Sequence, residues 1–94
     1  MSMSQDSAET VALQALAWIA ANNELLPVFL GSTGTAADEL RERVKDADFL
    51  ASVLDFLLMD DAWIIDFCDS AGLSYDRPKQ ARAVLPGGAQ VSWT

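Results

Sequence analysis

The chain predicts an all-α domain, a compact six-helix bundle, on three observations. Apolar residues recur at spacings of three and four along most of its length. No stretch alternates apolar and polar residues as a half-buried strand does. Gly, Pro, Asn and Asp then cut the pattern into helix-sized pieces. At 94 residues the chain is one domain's length, and a chain of that size buries roughly two-thirds of its surface on folding. Apolar residues make up 51% and charged residues 21%, so the chain carries enough hydrophobic surface to order itself.

The first helix is expected over residues 7–21, capped by Asp6, with Glu9 in the capping-box position. Its inner face is Val11, Ala12, Ala15, Leu16, Trp18 and Ile19; Thr10, Gln14, Ala17 and Ala21 face outward. Asn22 and Asn23 end it and open a second helix over 24–30, where Pro27 sits in the first turn and needs no N–H. Leu25, Leu26, Phe29 and Leu30 point inward. Gly31-Ser32-Thr33-Gly34 reads as a turn. Thr35 then caps a third helix over 36–45, with Asp38 in the capping-box position. Acidic residues come early in it and basic ones late, an order that suits the helix dipole.

Asp46 or Asp48 opens the fourth helix, which reaches residue 59. Phe49, Leu50, Val53, Leu54, Phe56, Leu57 and Leu58 cover most of its circumference, leaving a thin stripe of Asp48, Ser52 and Asp55. A helix apolar nearly all round is a central one. Asp60 and Asp61 cap the fifth, 62–71, with Trp63, Ile64, Phe67 and Cys68 inward and Gly72 closing it. Ser74 or Asp76 begins the sixth, Pro78 lies in its first turn, and it ends at Leu85 before Pro86. Residues 87–94 form a tail. Trp93 there either folds back to bury its ring or anchors a partner.

The sequence also matches itself at a period of 38 residues. Laying 11–45 on 49–83 gives five identities: Leu16/Leu54, Phe29/Phe67, Ser32/Ser70, Gly34/Gly72 and Asp38/Asp76. About two are expected by chance, so the phasing carries more weight. Trp18-Ile19 falls on Phe56-Leu57, Asn22-Asn23 on Asp60-Asp61, Leu25-Leu26 on Trp63-Ile64 and Arg41 on Lys79. Two three-helix units are expected, 9–46 and 47–86, too small to fold apart and packed with approximate two-fold symmetry around the first and fourth helices.

The string Phe49-Leu50-Ala51-Ser52-Val53-Leu54-Asp55-Phe56-Leu57-Leu58-Met59-Asp60-Asp61, with Phe29-Leu30-Gly31-Ser32-Thr33-Gly34 and Ala12-Leu13-Gln14-Ala15-Leu16 before it, resembles a bacterial family of small acidic helical proteins classed as a domain of unknown function. The likeness spans about residues 9–88. Its motifs are core-forming, so they mark a family and name no chemistry. The resemblance implies a bacterial cytoplasm and brings no catalytic residues.

Composition excludes more than it assigns. Fourteen acidic against six basic residues leave a net charge of −8, which opposes nucleic-acid binding and docking on an anionic membrane. There is no histidine and one cysteine, Cys68, which removes Ser-His-Asp and Cys-His catalysis, the usual zinc sets and an internal disulfide. No cofactor is expected. The first residues carry neither a basic nor an apolar export region, and no apolar run nears the ~20 residues of a membrane span. With its unpaired thiol the chain reads as cytoplasmic.

All six basic residues fall in two spans, Arg41, Arg43, Lys45 and Arg77, Lys79, Arg82. With Trp93 they are the candidate interaction surface, a basic patch if the repeats bring them to one side. Against that stands dipole complementation plus pairs such as Glu39 with Arg43. The aspartates lack calcium-loop spacing and are each explained by caps or exposed faces. Residues 26–44 outline a helix-turn-helix, but its second helix would begin Ala36-Ala37-Asp38-Glu39 and press acid onto phosphates. Cys68 reads as a small core residue.

The expectation is a non-enzymatic interaction or structural module of unknown protein partner, as a homodimer in one version. Its exposed apolar surface would lie near Trp63, Val28, Met59 or Trp93. The alternative is an acidic decoy that mimics nucleic-acid charge on a face of Asp55, Asp60, Asp61, Asp66 and Asp69. A carboxylate enzyme comes last, since it needs a deep pocket lined by several such groups.

Overall fold

The computed structural model describes residues 3–86. Six α-helices follow in order: α1 Gln5–Ala20, α2 Leu25–Thr33, α3 Leu40–Arg43, α4 Ala47–Leu57, α5 Asp61–Ala71 and α6 Arg77–Val84. A 3-10 turn, Ala37–Glu39, precedes α3, and there is no strand among the described residues. The all-α class and the six helices are as the sequence predicts. The tail and Trp93 lie outside the described residues.

Helix α1 runs along both α6 and α4, α6 also rests on α4, and α2 and α5 lean on α1. The reason lies in side-chain size. Helix α1 buries Ala8, Val11, Ala12, Ala15, Leu16 and Ile19, and α6 buries Pro78 and Ala81, so small groups let these two helices approach closely. Helix α4 buries Phe49, Leu50, Ala51, Val53, Leu54, Phe56 and Leu57, as expected of the central helix. Aromatic rings lock the outer helices on edge to face. Phe29 of α2 meets Phe49 at 5.8 Å and Phe56 at 5.3 Å, and Trp18 of α1 meets Phe67 of α5 at 6.2 Å.

Several helix ends differ from expectation, each for a local reason. Helix α1 starts earlier because Ser4, not Asp6, caps it: its Oγ accepts the Ser7 N–H at 3.1 Å. Helix α2 continues through Gly31, Ser32 and Thr33 and stops at Gly34, whose φ of 69° is left-handed. Thr33 supports the extra turn by donating its hydroxyl to Phe29 O at 3.0 Å. Thr35 does not cap the next helix. It is buried, and its Oγ1 has no hydrogen-bond partner among the described residues.

Without that cap the expected helix over 36–45 shrinks to the 3-10 turn and the single turn of α3. Glu39 supplies half a capping box there, its Oε1 accepting the Ala36 N–H at 2.8 Å. Helix α6 begins at Arg77 with Asp76, one of its two expected starts, at the N-cap position and Pro78 in the first turn, although the Asp76 side chain makes no cap bond. Asp46 and Asp60 cap as predicted, their Oδ1 atoms accepting from Asp48 N at 3.0 Å and Ala62 N at 2.8 Å.

Positions 38 apart make matching local bonds. Asn22 Oδ1 accepts the Glu24 N–H at 2.9 Å where Asp60 accepts that of Ala62. Gly34 and Gly72 both take left-handed backbone, at 69° and 71°, and donate to Leu30 O and Cys68 O. Thr35 N and Leu73 N donate to those same two carbonyls. The third segments differ: α3 fully buries no residue, whereas α6 is seated on α1 and α4.

Candidate interaction surface

An open recess with an apolar floor and polar edges forms where α4 ends, α5 begins and α6 begins. Helix α4 stops at Leu57, and Leu58 follows as its cap residue. Asp60 turns the chain into α5, which places Asp61 at its first position and Ile64 nearly one turn on. Gly72 ends α5, and the segment 73–76 returns the chain to α6. Leu58, Asp61, Ile64, Tyr75, Asp76 and Lys79 thereby line an open groove of about 460 Å³.

Leu58 and Ile64 are half-buried and form its apolar floor, while the Tyr75 ring is 54% exposed. The ring is oriented, because its hydroxyl donates to Asp69 Oδ1 at 2.7 Å. That bond and the charge of the Asp69 carboxylate hold the phenol above its usual range. Asp76 accepts from Ser74 Oγ at 2.7 Å and from Gln80 Nε2 at 3.2 Å. Among the described residues, neither Asp61, Asp69 and Asp76 nor Lys79 forms an ion pair.

Beyond the groove α5 turns half its circumference to solvent, exposing Asp61, Ala62, Ile65, Asp66, Asp69 and Ser70. Trp63, Ile64, Phe67, Cys68 and Ala71 fill the other half. Burial pushes the Cys68 thiol up, with Asp69 and Asp76 adding to the shift, so this cysteine is a core residue.

The basic residues differ in what they touch. The Arg43 guanidinium lies 5.1 Å from the Phe49 ring centre, and Lys45 pairs with Glu42 at 3.4 Å on the surface. Arg41 lines a second open hollow of about 580 Å³ with Ala37, Asp38, Leu40 and Glu42. Arg82 Nε donates to Asp55 Oδ1 at 2.6 Å, and its Nη1 donates to Pro86 O at 3.0 Å. Arg77 is half-buried, and its Nε has no acceptor among the described residues. Lys79 alone reaches the groove. No hydrogen bond or ion pair among the described residues joins the span Arg41, Arg43, Lys45 to Arg77, Lys79, Arg82.

Of the apolar residues expected at the surface, Val28 and Met59 are exposed, at 54% and 73%. Trp63 is not, because it stacks on Phe56 with ring centres 4.9 Å apart. Tyr75 had no expected role. Its signal was slight: the chain's single tyrosine, in a polar link between Gly72 and a proline-marked helix. No group of three or more His, Cys, Asp or Glu among the described residues is placed to hold a metal ion, and no described helix is long and apolar enough to cross a membrane.

A family model described as "Protein of unknown function (DUF3572)" matches residues 5–88 of the chain. No curated protein and no solved structure matches it.

Proposed function

This chain belongs to the DUF3572 family, and on that premise we propose that it is a non-enzymatic interaction module working through its surface in a bacterial cytoplasm. The observation that carries the reading is the groove, where Leu58, Ile64 and Tyr75 stay accessible side by side with charged residues at their edge. The single buried thiol suits a reducing compartment. The duplicated-halves reading belongs to the same proposal, supported by the matching bonds at Asn22 and Asp60 and at Gly34 and Gly72.

The acidic-decoy alternative is weakened by two of its five carboxylates. Asp55 is paired with Arg82, and Asp60 is engaged as a helix cap. Asp61, Asp66 and Asp69 remain together on the exposed half of α5.

Affinity capture with the full chain at low salt and at about 1 M salt tests the reading, with sedimentation alongside. Capture that survives salt supports a partly apolar interface. Capture lost in salt favours the decoy. A monomer that captures nothing under either condition overturns the module.

A further inference from the structure

We propose that the groove between α5 and the start of α6 receives a basic segment of a partner protein. A bulky apolar side chain would enter between Leu58, Ile64 and Tyr75, and flanking lysines or arginines would meet Asp61, Asp69 and Asp76. The inference rests on the interaction-module reading and names the partner's chemistry. The groove volume of about 460 Å³ suits a large side chain with its neighbours.

Tyr75 is a prepared contact. Its hydroxyl is already held by Asp69, so the ring loses little freedom when a partner covers it, and tyrosine is enriched among residues that dominate interfaces. The charge around the floor is unbalanced: Asp61 and Asp76 line it and Asp69 touches its ring, against Lys79 alone. The imbalance is set by the chain itself. From Asp46 to Asp76 there are eight aspartates and no lysine or arginine, so α4 and α5 bring no cation to the groove. A cationic partner would be steered to it and oriented there.

A second copy of this chain fits poorly. Two molecules of net charge −8 repel, and of the large exposed apolar residues Leu13, Val28, Met59, Ile65 and Tyr75, the one near basic residues in sequence, Tyr75, already belongs to the groove.

Two experiments on the full chain test the proposal. The first titrates labelled protein, followed by amide chemical shifts, with two synthetic peptides of four lysines, one carrying a central tryptophan and the other a central serine. The tryptophan peptide should shift amides around Leu58, Ile64, Tyr75 and Lys79 and bind at least about tenfold more tightly than the serine peptide. Tyr75→Ala should remove most of that preference and Asp61→Asn should weaken both peptides, while Asp66→Asn on the far side of α5 should do neither. Equal binding of both peptides, shifts centred on Asp66, or no shifts at the groove would overturn the proposal.

The second places a photo-crosslinking phenylalanine at position 75 or, separately, at position 28 in the source cell. A crosslink from position 75 to a lysine- or arginine-rich segment supports the groove. A crosslink from position 28 alone overturns the groove and leaves the module reading standing, whereas none from either position overturns both.

Discussion

Gly31 lies inside α2, where a Cβ would meet no atom within 4 Å, while Gly34 ends the same helix at a φ of 69°. Alanine narrows the unfolded ensemble at both sites, but only at Gly31 does the folded backbone accept it. Gly31→Ala is therefore expected to stabilise by about 0.5–1 kcal/mol. Gly34→Ala should destabilise by about 1 kcal/mol. Urea midpoints moving in the same direction for both would contradict this account. Thr35 follows from a different rule. Its buried hydroxyl has no partner, so Thr35→Val keeps the shape, removes an unsatisfied group and should gain about 1 kcal/mol. A loss in the same urea assay would mean that the hydroxyl is bonded after all. Tyr75 is the chain's only tyrosine, so its titration can be followed by phenolate absorbance alone. Its folded pKa is raised, first by the Asp69 hydrogen bond and then by the carboxylate's charge. The associated stability is complete below the unfolded phenol's pKa and disappears as pH climbs through the folded one. Asp69→Asn should bring the midpoint down toward the ordinary phenol, and an unchanged midpoint would remove the proposed cause.

Among the helices, α6 has the most specific anchorage. Arg82 Nε binds Asp55 of α4 at 2.6 Å, and its Nη1 reaches the carbonyl of Pro86 beyond the helix end. The Arg82 side chain is mostly covered, but that of Asp55 is 57% exposed, so the pair itself should contribute only about 0.5–1 kcal/mol in a double-mutant cycle. Arg82→Ala should cost more than Asp55→Ala, since it also removes the carbonyl contact and the stem's packing. Equal single costs would show that only the ion pair matters. The helices were legible where a short acceptor stands directly before an apolar run, as Asp46 and Asp60 do. Reading failed where two acceptors compete within a turn, as Ser4 and Asp6 do, or where a capping residue is taken into the core. Thr35 is the second case, and its loss leaves residues 36–45 with only the half-buried Leu40 and Val44 to hold a helix. The groove was not legible, because it exists only once segment 73–76 carries Tyr75 across to Leu58 and Ile64. Spacing along α5 separates inner from outer residues but cannot show what α6 brings beside them.

Across the molecule, three of the four aromatic contacts among the described residues tie one proposed half to the other, and Phe56 on Trp63 lies within the second. Trp18 meets Phe67, and Phe56 meets Phe29. Adding 38 to Trp18 gives Phe56, and adding it to Phe29 gives Phe67, so each contact is the other with the halves exchanged. A half on its own would therefore lose one ring of each pair, and neither should hold its structure alone. The test uses mild truncations, because Phe→Ala in a core costs about 3–5 kcal/mol and a domain has only about 5–15 to lose. Phe29→Leu and Phe67→Leu are expected to cost about 1 kcal/mol each. Either change should lower the urea midpoint of the whole domain, with tryptophan fluorescence and far-ultraviolet dichroism falling on one transition. The two costs should add in the double variant to within about 0.5 kcal/mol, because the substituted residues sit in different ring pairs. If fluorescence and dichroism separate in either variant, one half survives without the other's ring, and the clasp between them is not what makes the domain cooperative.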